Sequence, residues 1–312
     1  MKWFLSILLA AFTSSFAFSQ STASATQDLS TLHGRPEPPM LGVHWARGFD
    51  PLARANEVHA AGPRRSANMS YHGGKIMPTS SVQAIYWGTS WSGSNPKISG
   101  LASWYQGFGG SNYIKASTEY TGSNGQVGST SSYVRSTVDN SAAANGSSTG
   151  AILSEVCKEI TSGQLTLDSS GNGYYPVYVD RPRGNAGYCA YHSAGTCNGQ
   201  LVQFAFFFNL DNDPGCDPQD TTTGHSQGLA ALANVTAHEL SEAITDPASP
   251  GAWYDSSGQE NGDKCAWTFN VPSVTFSNGT KWKLQGEWSN AAYTAGTGYP
   301  NSKGQRGCLD GH

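Results

Sequence analysis

Residues 228–244 read GLAALANVTAHELSEAI, and after Thr245 comes Asp246-Pro247. Proline lacks an amide hydrogen and pushes the residue before it out of helical geometry, so the segment is a helix with a defined stop. From Leu229 to Ala237 only Asn234 and Thr236 are polar. A helix that is apolar on nearly every side belongs in an interior or beneath a cleft wall. Into its last turns the chain places His238, Glu239 and Glu242. Burying that much charge without partners costs several kcal/mol or more, so a cation or a dense hydrogen-bond network is expected with them.

The spacing favours a cation. His238 and Glu242 are four residues apart and project from one helix face, opposite the stripe Leu229, Leu232, Thr236 and Leu240. His-Glu-x-x-His metallopeptidases use the same spacing: positions one and five bind zinc, and the second-position Glu is the general base. Here the fifth position is Glu242, a harder and more anionic ligand that opens the site to calcium, magnesium or manganese. The segment Trp253–Trp267 (WYDSSGQENGDKCAW) offers Asp255, Glu260 and Asp263 as further ligands, with a separate calcium loop or a solvated acidic turn as its other readings. The expected set is His238, Glu242, Asp263 and Glu260 around a divalent metal, zinc first and calcium second, with Glu239 as base. Asp246 before proline suits a turn, and His72 and His192 are read as structural histidines ahead of ligands or substrate contacts.

Outward from this helix, Val82–Trp87 (VQAIYW), Tyr174–Val179 (YYPVYV) and Leu201–Phe208 (LVQFAFFF) read as strands, the last apolar throughout and so buried on both faces. Helices are expected from Asn95-Pro96 to Gly107 and over Ala151–Ile160. Residues 111–149 are rich in Ser, Thr and Gly with short strand-like pieces. The fold class that follows is α+β: a mixed sheet supporting a long buried helix that carries the metal site, in a zincin-like arrangement.

The first residues carry an export signal: Lys2, the apolar run WFLSILLAAF over 3–12, then small residues at signal-peptidase spacing around Ala17. That run is well short of the roughly 20 residues needed to cross a bilayer. The domain organisation expected is a signal peptide at 1–19, a flexible leader or pro-segment at 20–68 ending near the dibasic pair Arg64-Arg65, and one globular domain at 69–312. Six cysteines, an even number with no CxxC pair, suit disulfides of an oxidising compartment. Cys189 with Cys197 and Cys265 with Cys308 are the expected pairs. Sequons at Asn68, Asn145, Asn234 and Asn278 allow for a glycoprotein. Only 13% of residues are charged and the net charge is −4, so no basic stripe exists for nucleic acid. Partners are therefore sought among extracellular proteins and cell-wall polysaccharides.

Tyr71-His72-Gly73-Gly74 ahead of Ile85-Tyr86-Trp87-Gly88, then Gly187-Tyr188-Cys189-Ala190-Tyr191-His192, resemble the secreted phosphate-induced (EXORDIUM-like) proteins. The likeness spans about residues 70–310. A microbial version of that family is similar in Ala237–Pro247, Trp253-Tyr254-Asp255 and Gly262-Asp263. The resemblance implies an extracellular, cell-wall-associated protein and supports secretion and domain limits more than catalysis. A competing motif, Gly224-His225-Ser226-Gln227-Gly228, satisfies Gly-x-Ser-x-Gly and would make Ser226 a serine-hydrolase nucleophile. The residues before it, Asp217–Thr223, are unsuited to the buried strand such an elbow needs, and Ser226 fits a helix N-cap better. The function expected is a secreted metal-dependent, peptidase-like hydrolase, with a non-catalytic secreted cell-wall or host-surface binding protein as the alternative. Expression with secretion is expected to yield a mature N-terminus within about two residues of Ala17, read by N-terminal sequencing. An intact Met1 on the exported chain would refute the signal.

Overall fold

The protein is described here from a computed structural model covering residues 38–51 and 67–312. The signal segment, most of the leader and the Arg64-Arg65 pair lie outside the described residues. Six strands form one mixed sheet: β1 (Val43–Trp45), β2 (Ser80–Trp87), β3 (Ser131–Asp139), β4 (Gly173–Pro182), β5 (Tyr188–Cys197) and β6 (Gln200–Asn209). Across the sheet the order is β3-β2-β4-β6-β5-β1. β3, β2, β4 and β6 run parallel, while β5 and then β1 add antiparallel at one edge.

Three helices flank it: α1 (Pro96–Phe108), α2 (Thr149–Thr161) and α3 (Gln227–Thr245). Asn95 caps α1 by accepting from the Lys97 amide, with Pro96 at the first helical position, where a missing amide costs nothing. Strand β6 is central, and Val202–Phe208 are buried on both faces. Its alternate residues serve different layers: Phe207 stacks on Tyr178 at 4.6 Å, whereas Phe206 stacks on Tyr191 at 5.3 Å. On the Phe207 side, the Tyr178 hydroxyl meets Thr236 of α3 at 2.8 Å and Tyr105 of α1 at 2.6 Å. Helices α1 and α3 approach closely because Gly100 has no side chain. A Cβ there would sit 2.5 Å from Leu229.

Helix α3 is the buried helix expected from its composition, and Gly228–Thr245 are all buried. Ser226 caps it, its Oγ accepting from the Leu229 amide, and the segment before it is loop, as the N-cap assignment requires. The α+β class with a mixed sheet and disulfides therefore stands. Among the described residues no helix is long and apolar enough to cross a membrane.

Two expectations are corrected. Cys189 and Cys197 lie at opposite ends of β5, so an extended chain separates them by about 27 Å and forbids a bond. Cys189 instead pairs with Cys216 in the loop after β6, Cys157 of α2 pairs with Cys197, and Cys265 pairs with Cys308 as expected. Second, the flexible-leader description does not hold for residues 38–51. Val43, His44 and Trp45 pair with β5, and His44 and Ala46 are fully buried. Three strand residues among prolines give too short a pattern to register as an element. Asn234 is also fully buried, its Oδ1 accepting from the Gln285 amide, so this sequon is closed to a glycan in the folded chain.

The Cys189–Cys216 link closes 27 residues of chain. Replacing both cysteines by alanine is expected to cost about 3 kcal/mol, measured by urea unfolding with the m-value fitted separately for each protein.

Candidate metal centre

Four segments converge at the C-terminal half of α3. From α3 come His238, Glu239 and Glu242, from β5 His192, from β1 His44, and from the single helical turn Asn261–Lys264 with its cap come Glu260 and Asp263. His44, His192, His238, Glu239 and Glu242 are all 0% exposed. Glu260 is nearly so, and Asp263 is the most open, its side chain 17% exposed. All of the sequence-predicted site residues, His238, Glu239, Glu242, Glu260 and Asp263, are thus brought together. Asp255 is not among them: its Oδ2 pairs with Lys264 at 2.7 Å and its Oδ1 accepts from the amides of Ser257 and Gln259.

The remaining histidines divide. His192 and His44 belong to the cluster. His72 is exposed and stacked on Tyr254 at 3.6 Å, and His225 stacks on Trp282 and meets the Lys281 carbonyl. His44 carried no motif, because its partners lie almost two hundred residues away. Its backbone amide donates to Glu239 Oε1 at 3.2 Å, and its ring lies parallel to His238 with centroids 4.1 Å apart. Glu287 is a further buried acid that the spacing did not flag, and its Oε1 accepts from the Tyr113 hydroxyl at 2.6 Å.

Two sets of donor residues, His192/Glu239/Glu242 and His238/Glu242/Asp263, each bring their ligand atoms within 4.8 Å of one another, and the sets share Glu242. His238 Nε2 is 3.0 Å from Glu242 Oε1 and 3.7 Å from Asp263 Oδ1. His192 Nε2 is 3.8 Å from Glu242 Oε2 and 3.4 Å from Glu260 Oε2. Asp263 also donates its amide to Glu242 Oε1 at 3.0 Å and accepts the Glu260 amide at 3.1 Å. Yet His192 Nδ1 and Nε2, His238 Nε2, and one oxygen each of Glu239, Glu242 and Glu260 have no hydrogen-bond partner. Such orphaned atoms are rare in interiors, and here His192 Nε2 faces the bare oxygens of Glu242 and Glu260.

Electrostatics sharpen the point. Burial first, and then the charge of Glu242, holds the carboxyls of Glu239, Glu260 and Asp263 well above the usual carboxylate range. Burial raises Glu242 too, opposed by the Asp263 amide. Burial drops His238 to about 4 and His192 to about 3, the latter with help from His238, and lowers His44 strongly. Two like unit charges 4 Å apart repel by about 4 kcal/mol at an effective dielectric of about 20, so a divalent cation is the direct way to keep these carboxylates ionised. Imidazole beside carboxylate suits zinc or manganese. Calcium prefers all-oxygen shells.

Glu260 also lines a cavity of about 260 Å³ shared with Leu41, Asp246, Ser249 and Tyr254. Asp246 there is lifted to about 7 by burial, against the Ala252 amide that donates to it at 2.6 Å. No family model, no curated protein and no solved structure matches this chain.

These groups fix the pH response of the metal-stripped protein. The histidines, lowered in the fold, withdraw stability only below their unfolded value of 6.5. The raised carboxylates contribute stability at low pH and lose it as pH climbs through their elevated folded values. Above pH 6.5 only the carboxylate slope remains, so the melting temperature without metal is expected to fall as pH rises beyond about 6.5, and zinc or manganese to abolish that fall. Thermal melts in chelator and in metal check it.

Proposed function

We propose that this chain is a secreted, divalent-cation-dependent hydrolase whose ion sits among the carboxylates and imidazoles around Glu242. The observation that carries the proposal is the convergence of fully buried, unpartnered imidazole nitrogens and carboxylate oxygens on one point. When bound, the cation supplies an acidified water and a Lewis-acid contact for a scissile carbonyl. Zinc is the first ion expected.

The protein's own groups divide the work by position. Glu242 is the shared ligand, because its two oxygens face different imidazoles. Glu239, assigned the base from motif spacing, has one oxygen tied to the His44 amide and the other turned into the buried cluster, which suits a ligand or a charge partner. Glu260 alone joins the cluster and also lines the cavity from which substrate and water arrive. Glu260, raised above the ordinary carboxylate range chiefly by burial, is therefore assigned to take the proton from water and return it to the leaving group. The resemblance to EXORDIUM-like proteins and the signal-like N-terminus support an extracellular setting, with proteins or cell-wall polysaccharide as substrate sources.

Complete burial of His192, His238, Glu239 and Glu242 favours a second reading, a closed structural metal in a non-catalytic binding protein. Equilibrium dialysis with metal analysis, followed by turnover on labelled casein and on a panel of cell-wall glucans, separates the two. Glu260→Gln is expected to keep its metal and lose about 100-fold or more in turnover. A wild type with metal but no turnover on any substrate leaves the structural reading. Less than about 0.2 metal per chain in the wild type would remove both.

A further inference from the structure

Resting on the metal reading above, we infer that the cation is held by His192 with Glu239 and Glu242, and that His238, the residue the sequence motif singles out, holds Glu242 in place without touching the ion.

The side chains around His238 are already engaged. Gln285 Nε2 lies 2.9 Å from both the Gly262 carbonyl and His238 Nδ1, while Gln285 Oε1 accepts from the Trp267 amide at 3.3 Å. Those two backbone contacts fix which end of the amide faces the ring. The amide nitrogen therefore donates to Nδ1, and the neutral imidazole carries its proton on Nε2. That nitrogen lies 3.0 Å from Glu242 Oε1, within reach of it though not aligned for a hydrogen bond in this conformation. Glu242 Oε1 in turn accepts from the Asp263 amide, and Asp263 Oδ2 from the Glu260 amide. A ligating imidazole needs its near nitrogen free of a proton, which this tautomer of His238 does not allow.

On the His192 side the facing atoms are free. Both ring nitrogens of His192, the second oxygen of Glu242 and the second oxygen of Glu239 lack partners, and all three residues are 0% exposed. The His192 backbone is pinned at both ends, its carbonyl accepting from the Leu41 amide and its own amide donating to the Gly42 carbonyl. His192 Nε2 and Glu242 Oε2 are 3.8 Å apart, a few tenths of an ångström beyond the roughly 3.3–3.6 Å between two ligands of a tetrahedral ion at about 2.0–2.2 Å. Gly42 leaves this side open, since a Cβ there would lie 2.1 Å from Glu242 Oε2 and 2.4 Å from His192 Nε2. Glu260 Oε2 lies 3.4 Å from His192 Nε2, and Glu260 also lines the neighbouring cavity. The helix thus supplies two carboxylates one turn apart, and the imidazole comes from the sheet.

The experiment is zinc and manganese binding by equilibrium dialysis and metal analysis on the full secreted chain, with near-ultraviolet circular dichroism to confirm folding. Wild type is expected to hold about one ion per chain. His192→Gln should fall below about 0.2, whereas His238→Gln, whose amide also reaches Glu242, should keep about one ion with at most about tenfold weaker binding. If His238→Gln loses the ion, alone or together with His192→Gln, or if both variants keep it, the assignment to His192 is overturned while the metal reading stands. Two ions per wild-type chain would likewise overturn a single His192 site. A folded wild type without metal would instead end the metal reading itself.

Discussion

Charge inside a dry interior has to be neutralised, and the architecture of this protein is arranged around that requirement. Three imidazoles and four carboxyl groups meet where α3 passes beneath β5 and β1, and the surrounding layers leave them almost no water. Hydrogen bonds answer part of the demand: the His44 amide serves Glu239, the Asp263 amide serves Glu242, and Gln285 serves His238. What they leave unanswered faces inward. The same low dielectric that makes unpaired carboxylates costly would make a bound cation strongly favourable, and binding of one would couple to stability through this cluster.

The elements that bring these groups together were unequally visible in the sequence. Helix α3 was legible because its composition is extreme and both ends are marked, by Ser226 and by Pro247. Strands 82–87, 174–179 and 201–208 were legible as dense apolar runs. β5 was not, since YCAYHSAGTC mixes small and polar residues whose alternation is masked by burial on both faces. That strand carries His192, so the histidine most exposed to the carboxylates was read as structural. β1 escaped for the opposite reason, its three residues being too few to set a period.

At the site, local spacing identified the helical residues and the Glu260 and Asp263 turn, because α-helical geometry dictates which side chains share a face. It could not rank His238 against His192. That ranking depends on Gln285, Gly42 and Leu41, residues with no chemical signature that act only through long-range contacts. Motif arithmetic finds who stands on a helix face. Hydrogen-bond accounting decides who is already occupied.

The three-residue strand β1 also bears on where the folding unit begins. It covers the outer edge of β5, whose amides and carbonyls would otherwise be bare, and lays Gly42 and His44 over the buried cluster. A chain started at residue 69, where the composition first becomes that of a globular protein, would present a long unprotected sheet edge with an acidic cavity beside it. Edges of that kind recruit strands from neighbouring molecules, so such a truncation invites self-association before any question of activity arises.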